Sequence, residues 1–349
     1  YNFSKEYDFQ VKQKVNGWQI IYITPENLEA LIESKHITNY KIEYAPGKVL
    51  NDTVRAFVKV DSVHLGVAPL TQAYTGNGTI IGVIDTGIDF NHPDFLNSNG
   101  STRVLHYWDQ TIIDTNTIYD PNRVSTYGYG QVWDSVDINA GDCLSLDQNL
   151  HGSHVTGTAA GNGMGNGKNA GMAPEANIVV VESDFNHPNW SISVAEACDY
   201  IFHIADSLNM PASINISLGS YLGSHDGNDI ATEYMEDLLD EKTGRLITCA
   251  AGNSGLWGNY HLKGNVTADT NFIWFKNNAA SGFGISASYF DLWADTADFN
   301  NVFFAFGADD PATYENRAQT DFYSTQAVLD NDYEYSIISY SGNKIGNFT

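Results

Sequence analysis

Cysteine, basic side chains and long apolar runs are scarce in this chain of 349 residues. The three cysteines (Cys143, Cys198 and Cys249) are too few for a disulfide framework, and their spacing is not that of metal ligands. The 17 Lys and Arg stand against 42 Asp and Glu, a formal charge of −25. This balance argues against nucleic acid as a partner, because phosphate contacts need clustered cations. No run of about 18 apolar residues occurs, so the sequence predicts no membrane span.

The chain nevertheless has enough apolar residues to build a sizeable core. Hydrophobic residues make up 42% of the sequence and aromatic residues 13%, a composition that is not typical of disorder. At about 150 residues per domain, the length suggests two or three domains. The acidic surplus is spread along the whole chain and is not confined to a tail.

Residues 1–55 have the pattern of a small α+β segment. Residues 18–23 are aromatic and β-branched, which favours a strand. Residues 25–32 follow a helical pattern that begins with proline, and Thr24 precedes them as a candidate N-cap. Residues 37–44 resume a strand-like pattern. A segment of this size is marginally stable alone, so we expect it to dock on another part of the protein.

Residues 56–255 alternate between predicted strands and predicted helices. The strand runs are continuous and β-branched, as in strands that are buried on both faces of a sheet. They are residues 79–84, 177–181, 212–216 and 246–250. The predicted helices are residues 151–160, 193–208 and 230–239. This alternation predicts an α/β fold with a parallel sheet that helices cover on both faces.

Residues 256–349 lose the helical pattern and become rich in aromatic and β-branched residues. Strand-like runs occur at residues 271–275, 286–292, 302–306 and 333–338. Turns rich in Asn, Asp and Gly separate them, which predicts an antiparallel, sandwich-like module. Four aromatic residues of this module are candidates for stacking on sugars, although core packing is the commoner use of such residues. They are Trp257, Trp274, Tyr289 and Trp293.

Two of the predicted strands and one predicted helix carry polar residues at their ends. Asp85 directly follows the run 79–84, and Asn253 follows the run 246–250. Because the carboxyl ends of parallel strands share one edge of the sheet, these two residues are expected at the same edge. His151 opens the helix 151–160. Each residue taken alone has an ordinary structural explanation, as a turn residue or a structural histidine.

Taken together and in this order, the motifs resemble those of the subtilisin-like serine proteases (subtilases). The motifs are Asp85-Thr86-Gly87, His151-Gly152-Ser153-His154-Val155-Thr156-Gly157 and Ala250-Ala251-Gly252-Asn253-Ser254-Gly255. The run Asn215-Ile216-Ser217-Leu218-Gly219 is similar to the substrate-binding strand of that family. The resemblance covers residues 56–255. It implies a serine endopeptidase that acts on polypeptides, with residues 1–55 as part of a propeptide that docks on the catalytic domain.

The resemblance implies a role for each matching residue. Asp85 would orient the imidazole of His151 and stabilise its charge, and His151 would act as general base and then as general acid. Asn253 would donate a hydrogen bond to the oxyanion. A substrate peptide would add as a β-strand along three residues: Ser217, Leu218 and Gly219.

The sequence lacks the motif that carries the catalytic serine in this family. Gly-Thr-Ser does not occur in the 349 residues. Neither Ser254, which adjoins Asn253, nor Ser286, which lies in a β-rich run, is assigned as the nucleophile. The order of the motifs places the serine beyond Thr349 and makes residues 256–349 an insertion, as in some larger bacterial subtilases. These 349 residues are therefore expected to be inactive as a fragment.

Two other interpretations of the chain stay open. In the first, the chain is a pseudoprotease that keeps the fold without catalysis. In the second, it is a surface- or carbohydrate-binding module. Calcium is a cofactor that the resemblance allows. The sequence contains no Asp-x-Asp-x-Asp-Gly loop, so no calcium ligands are assigned. The helix at His151 lacks the glutamate of zinc proteases, so no metal site is predicted there. The resemblance and the acidic character imply a secreted or cell-envelope protein.

Overall fold

A computed structural model describes most of the chain. The described residues are 3–15, 18–35, 37, 51–253, 262–265, 270–275, 290–299, 301–310, 312–325, 335–338 and 344–348. The chain divides into two units, Tyr1–Leu50 and Asn51–Thr349.

The N-terminal unit contains a β-hairpin and a capped helix. Its elements are α1 (Phe3–Glu6), β1 (Gln10–Val15), β2 (Trp18–Tyr22) and α2 (Pro25–Glu33). Strands β1 and β2 pair in antiparallel fashion. Thr24 caps α2, because its side chain accepts a hydrogen bond from the backbone N–H of Asn27 at 3.3 Å. The predicted strand and helix are confirmed, whereas most of the predicted strand 37–44 lies outside the described residues.

The second unit is built around a six-stranded sheet. Its strands are β3 (Ile80–Asp85), β4 (Val104–Asp109), β5 (Gln131–Asp134), β6 (Asn177–Glu182), β7 (Ala212–Ile216) and β8 (Arg245–Cys249). Their spatial order is β5-β4-β6-β3-β7-β8. Every neighbouring pair is parallel except β4 and β5, which are antiparallel. All four strands predicted in this part of the chain are present.

Helices precede and connect these strands. They are α3 (Asn51–Phe57), α4 (Val60–His64), a 3₁₀ turn (Pro93–Phe95), α5 (Ser135–Ala140), α6 (His151–Ala160), α7 (Trp190–Ser207) and α8 (Ile230–Glu241). The three predicted helices are confirmed, and α7 begins three residues earlier than expected. In the described part of the chain, no helix is both long and apolar enough to cross a membrane.

The sheet is buried on both faces, as the continuous apolar strands predict. In β6, Val179 and Val181 pack in a core cluster with residues of α7 and α8. Ile178 and Val180 alternate with them and pack in a second cluster, which includes Ala160 of α6. Successive residues of a strand point to opposite faces, so these two clusters lie on the two sides of the sheet. The predicted α/β architecture is confirmed.

The described residues after position 261 form short antiparallel pairs. The elements are α9 (Thr296–Phe299), β9 (Phe303–Phe304), β10 (Gly307–Asp309), β11 (Asn316–Gln319), β12 (Tyr323–Ser324), β13 (Tyr335–Ile338) and β14 (Lys344–Phe348). The pairs are β9 with β12, β10 with β11, and β13 with β14. Antiparallel pairing agrees with the prediction, and a complete sandwich remains a prediction.

One predicted strand of this module is wrong. Residues 271–275 are described, and no strand is formed there within the described part of the chain. Their aromatic rings contact one another and Tyr314 instead: the ring centroids of Phe272 and Trp274 are 5.0 Å apart, and those of Trp274 and Tyr314 are 5.2 Å apart. Aromatic composition favours strands only where a partner strand and a packed face are available.

Candidate active site

Asp85 and His151 meet at the carboxyl edge of the sheet. Asp85 ends the central strand β3, and its side chain is completely buried. Its Oδ1 lies 2.7 Å from Nδ1 of His151 and accepts a hydrogen bond from the backbone N–H of Thr86 at 2.8 Å. The His151 side chain is 48% exposed. Because Nδ1 faces the carboxylate, Nε2 is the ring nitrogen left for a reactant.

Small residues allow the helix that carries His151 to approach the end of β3. A Cβ atom on Gly152 would overlap the carbonyl oxygen of Gly87. Gly87 itself has a φ of +100°, which an L side chain rarely adopts. The sequence motifs Asp-Thr-Gly and His-Gly therefore have a geometric reason: both glycines are needed for the close approach of α6 to the turn after β3.

The other predicted site residues lie on the neighbouring strand ends. Strand β7 runs beside β3 and leads directly into Ser217, whose hydroxyl accepts a hydrogen bond from the side chain of Asn215 at 2.9 Å. Leu218 is half-buried and Gly219 is exposed. Strand β8 runs beside β7 and leads to Asn253, which is exposed. All of these residues lie at the same edge of the sheet as Asp85.

Sequence reasoning missed a row of carboxyl groups at this edge. Asp109, Glu182 and Asp85 end the adjacent strands β4, β6 and β3 and are register partners. Register partners on adjacent parallel strands point to the same face, and such strands lie about 5 Å apart. The carboxyl at the end of the apolar run Asn177–Glu182 was the visible sign in the sequence, but only the sheet order brings it beside Asp85.

The pKa of Glu182, in the middle of this row, is raised. Burial raises the pKa of Glu182 to about 8, and the negative charge of Asp109 acts in the same direction. The hydroxyl of Tyr107 donates to its Oε2 at 2.5 Å and partly offsets this rise. The carboxylate of Asp109 accepts three hydrogen bonds, from the hydroxyl of Ser145 and from the backbone N–H and hydroxyl of Thr111.

A second missed residue is Asp147, in the loop that precedes α6. Its side chain is buried and accepts hydrogen bonds from Thr86 and Ser153. Among the described residues, no group of three or more His, Cys, Asp or Glu is placed to hold a metal ion. Ser254 and Ser286 lie outside the described residues.

Comparison with known proteins gives consistent matches. A family model described as the subtilase family matches residues 76–345. A PII-type proteinase of Lacticaseibacillus paracasei is 31% identical over 192 residues, which are 53% of this chain and 10% of that protein. A thermophilic serine proteinase of Bacillus sp. (strain AK1) is 28% identical over 258 residues, which are 70% of this chain and 51% of that protein. The chain thus spans at most about half the length of these relatives.

Among solved structures, the CspB protease of Clostridium perfringens is similar to this chain with a TM-score of 0.46 and 26% sequence identity. The match covers 56% of this chain and 39% of that chain.

Proposed function

Because the chain belongs to the subtilase family of serine proteases, we propose that it provides the Asp–His half of the catalytic site of an endopeptidase. The observation that carries the proposal is the 2.7 Å contact between the Asp85 carboxylate and Nδ1 of His151. The burial of Asp85 and the exposure of His151 support this assignment, since one group must stay fixed and charged while the other meets a reactant.

In the proposed reaction, Nε2 of His151 removes the proton of a serine hydroxyl as that oxygen attacks the carbonyl carbon of a peptide bond. Asp85 holds the ring through Nδ1–H and stabilises the imidazolium that forms. The side-chain amide of Asn253 donates to the oxyanion of the tetrahedral intermediate. His151 then gives the proton to the leaving amine. In the second half of the reaction, His151 removes a proton from water as the water attacks the acyl-enzyme, and it returns that proton to the serine oxygen as the acid product leaves.

The substrate in this proposal is an extended polypeptide. Residues Ser217, Leu218 and Gly219 provide backbone groups beside the end of β3, where a peptide can add as a strand. The nucleophile is a serine outside residues 1–349, in line with the absence of Gly-Thr-Ser from the sequence.

Residues 1–55 are proposed to act as part of a propeptide, and the division of the chain into two compact units after Leu50 supports this. We place the protein outside the cytoplasm, as a secreted or cell-envelope enzyme. Amino-terminal sequencing of the protein recovered from the medium and from the cell envelope tests both points, because an uncleaved chain confined to the cytoplasm contradicts them.

A fluorophosphonate probe tests the catalytic assignment, since it labels only an activated serine. The full-length gene product is expected to be labelled and to hydrolyse casein. The variant His151→Ala is expected to lose roughly 10⁴- to 10⁶-fold in both rates. His154→Ala is the matched control, because His154 lies on the same helix and is exposed; it should retain most activity.

The isolated 349 residues are expected to show no labelling. Labelling of Ser254 or Ser286 in this chain would contradict the location of the nucleophile, and unchanged rates in His151→Ala would contradict the proposed base. A full-length protein without any labelled serine would instead support the pseudoprotease interpretation.

A further inference from the structure

We propose that Asp147 is a positioning residue that fixes the imidazole of His151 against the carboxylate of Asp85. The inference rests on the proposed catalytic roles of Asp85 and His151. The two residues come from different elements, β3 and α6, that are separated by 66 positions in the sequence. A single side-chain contact at 2.7 Å does not by itself hold a strand end and a helix start in register.

Helix α6 starts without the usual cap. Leu150 occupies the N-cap position with a φ of +67°, in the left-handed region, and no hydrogen bond from its side chain caps the helix among the described residues. The first backbone N–H groups of a helix need acceptors from outside it. The start of the helix that carries His151 therefore depends on neighbouring groups for both its conformation and its hydrogen bonds.

Asp147 provides these acceptors. Its Oδ1 accepts from the backbone N–H of Leu150 at 2.8 Å and from that of Asn149 at 3.1 Å. Its Oδ2 accepts from the backbone N–H of Ser153 at 2.8 Å and from the Ser153 hydroxyl at 2.7 Å. The carboxylate thus stabilises the left-handed residue before His151 and caps the first turn of the helix.

The same carboxylate also binds the turn that follows Asp85. The hydroxyl of Thr86 donates to Oδ1 of Asp147 at 3.0 Å and accepts from the backbone N–H of Gly152 at 2.9 Å. The backbone N–H of Thr86 donates to Asp85. One carboxylate consequently connects the residue after Asp85 with the residues on both sides of His151.

The network requires an ionised carboxylate. Asp147 is 2% exposed and accepts five hydrogen bonds from four residues, which is about the full capacity of its two oxygens. Burial opposes its ionisation, but the hydrogen bonds from Ser153, Leu150 and Thr86 outweigh burial and lower the pKa of Asp147 below its ordinary value. An amide of the same shape would present N–H groups to other N–H or O–H donors.

The test is an NMR measurement on the 349-residue chain with ¹⁵N-labelled histidine. The parent chain should show a deshielded Nδ1 proton of His151 that exchanges slowly with water. In Asp147→Asn, that proton should exchange roughly 10- to 100-fold faster, the loss expected for a hydrogen bond to a charged group. Thr86→Val should act in the same direction, since it keeps the shape of the side chain and breaks the bridge to Asp147.

Asp134→Asn is the matched control. Asp134 also caps a helix, because its carboxylate accepts from the backbone N–H groups of Val136 and Asp137 at the start of α5. This variant should lower stability without changing the exchange of the His151 proton. If Asp147→Asn folds and exchange at His151 is unchanged, the positioning role is wrong; if Asp147→Asn does not fold, Thr86→Val decides in the same way. A parent chain without the deshielded proton would contradict the Asp85–His151 pair itself.

Discussion

Two regions of the second unit use their aromatic residues in opposite ways. In the sheet region (residues 51–253), Trp108 is completely buried and stacks on Tyr127 with ring centroids 5.0 Å apart. In the aromatic region (the described residues of 262–348), Phe272 and Trp274 are more than half exposed. Both regions are rich in aromatic residues, yet the two buried core clusters of the described residues draw on the sheet region alone.

The difference follows from how the strands are paired. Each strand of the sheet region has neighbours in one six-stranded sheet, and side chains from two faces enter two large clusters. The described strands of the aromatic region form two-stranded pairs, and a two-stranded pair alone is marginally stable. A fixed Asp85–His151 geometry needs the first kind of support, because catalytic groups must be held closely in place.

The largest expected loss of stability comes from comparing the same substitution, Trp to Ala, in the two regions. Trp108→Ala removes a ring that also contacts Tyr129 and Tyr200, so we expect a loss of about 4 kcal/mol in the free energy of unfolding. Trp274→Ala should cost less than about 1 kcal/mol, since its ring is 61% exposed. Urea denaturation of both variants measures this. Equal losses would show that the aromatic region is packed as tightly as the sheet region.

A smaller loss of stability is expected from a substitution within helix α6 itself. Gly152→Ala forces a Cβ atom into the carbonyl of Gly87 and should destabilise the protein by about 3 kcal/mol. Gly157→Ala is the matched control, because a Cβ atom there meets nothing within 4 Å and alanine favours a helix; it should stabilise by up to about 1 kcal/mol. Thermal unfolding of the two variants separates them, and similar melting temperatures would contradict the close approach.

The parts of the fold that could be predicted are those with a strong local pattern. The run of β3 is apolar and β-branched, and the pattern of β6 is the same until Glu182. Strand β4 was missed because His106 and Asp109 interrupt its apolar pattern, and β5 because it has four residues. The run 271–275 shows the converse, since strand propensity without a partner strand did not produce a strand there.

The motif residues of the candidate site could be predicted from the sequence, whereas the carboxyl groups that surround them could not. Asp85 and His151 stand in recognisable short motifs. The partners of Glu182 and Asp147 are distant in sequence: Tyr107 is 75 positions from Glu182, and Thr86 is 61 positions from Asp147. Such contacts depend on strand order and loop path, which local patterns do not encode.

The smallest effect expected is a pH dependence that differs between the regions. Between the ordinary carboxyl pKa and about 8, native Glu182 keeps a proton that the unfolded chain releases. The free energy of unfolding therefore falls as pH rises through this window. Glu182→Gln removes this pH dependence. Between pH 4 and pH 9, the free energy of unfolding of the variant should rise by on the order of 2 kcal/mol relative to that of the parent. This value is smaller than the full pKa shift implies, because the site relaxes.

Asp310 of the aromatic region provides the opposite case. Hydrogen bonds from the backbone of Ala312 and from Arg317 lower the pKa of its carboxyl. Its contribution is present above the ordinary carboxyl pKa and is lost as pH falls, so Asp310→Asn should not reproduce the alkaline gain. Urea denaturation of both variants between pH 3 and pH 9 provides the comparison. A Glu182→Gln variant with the same pH profile as the parent would show that Glu182 ionises normally and that the row of carboxyl groups beside Asp85 is open to water.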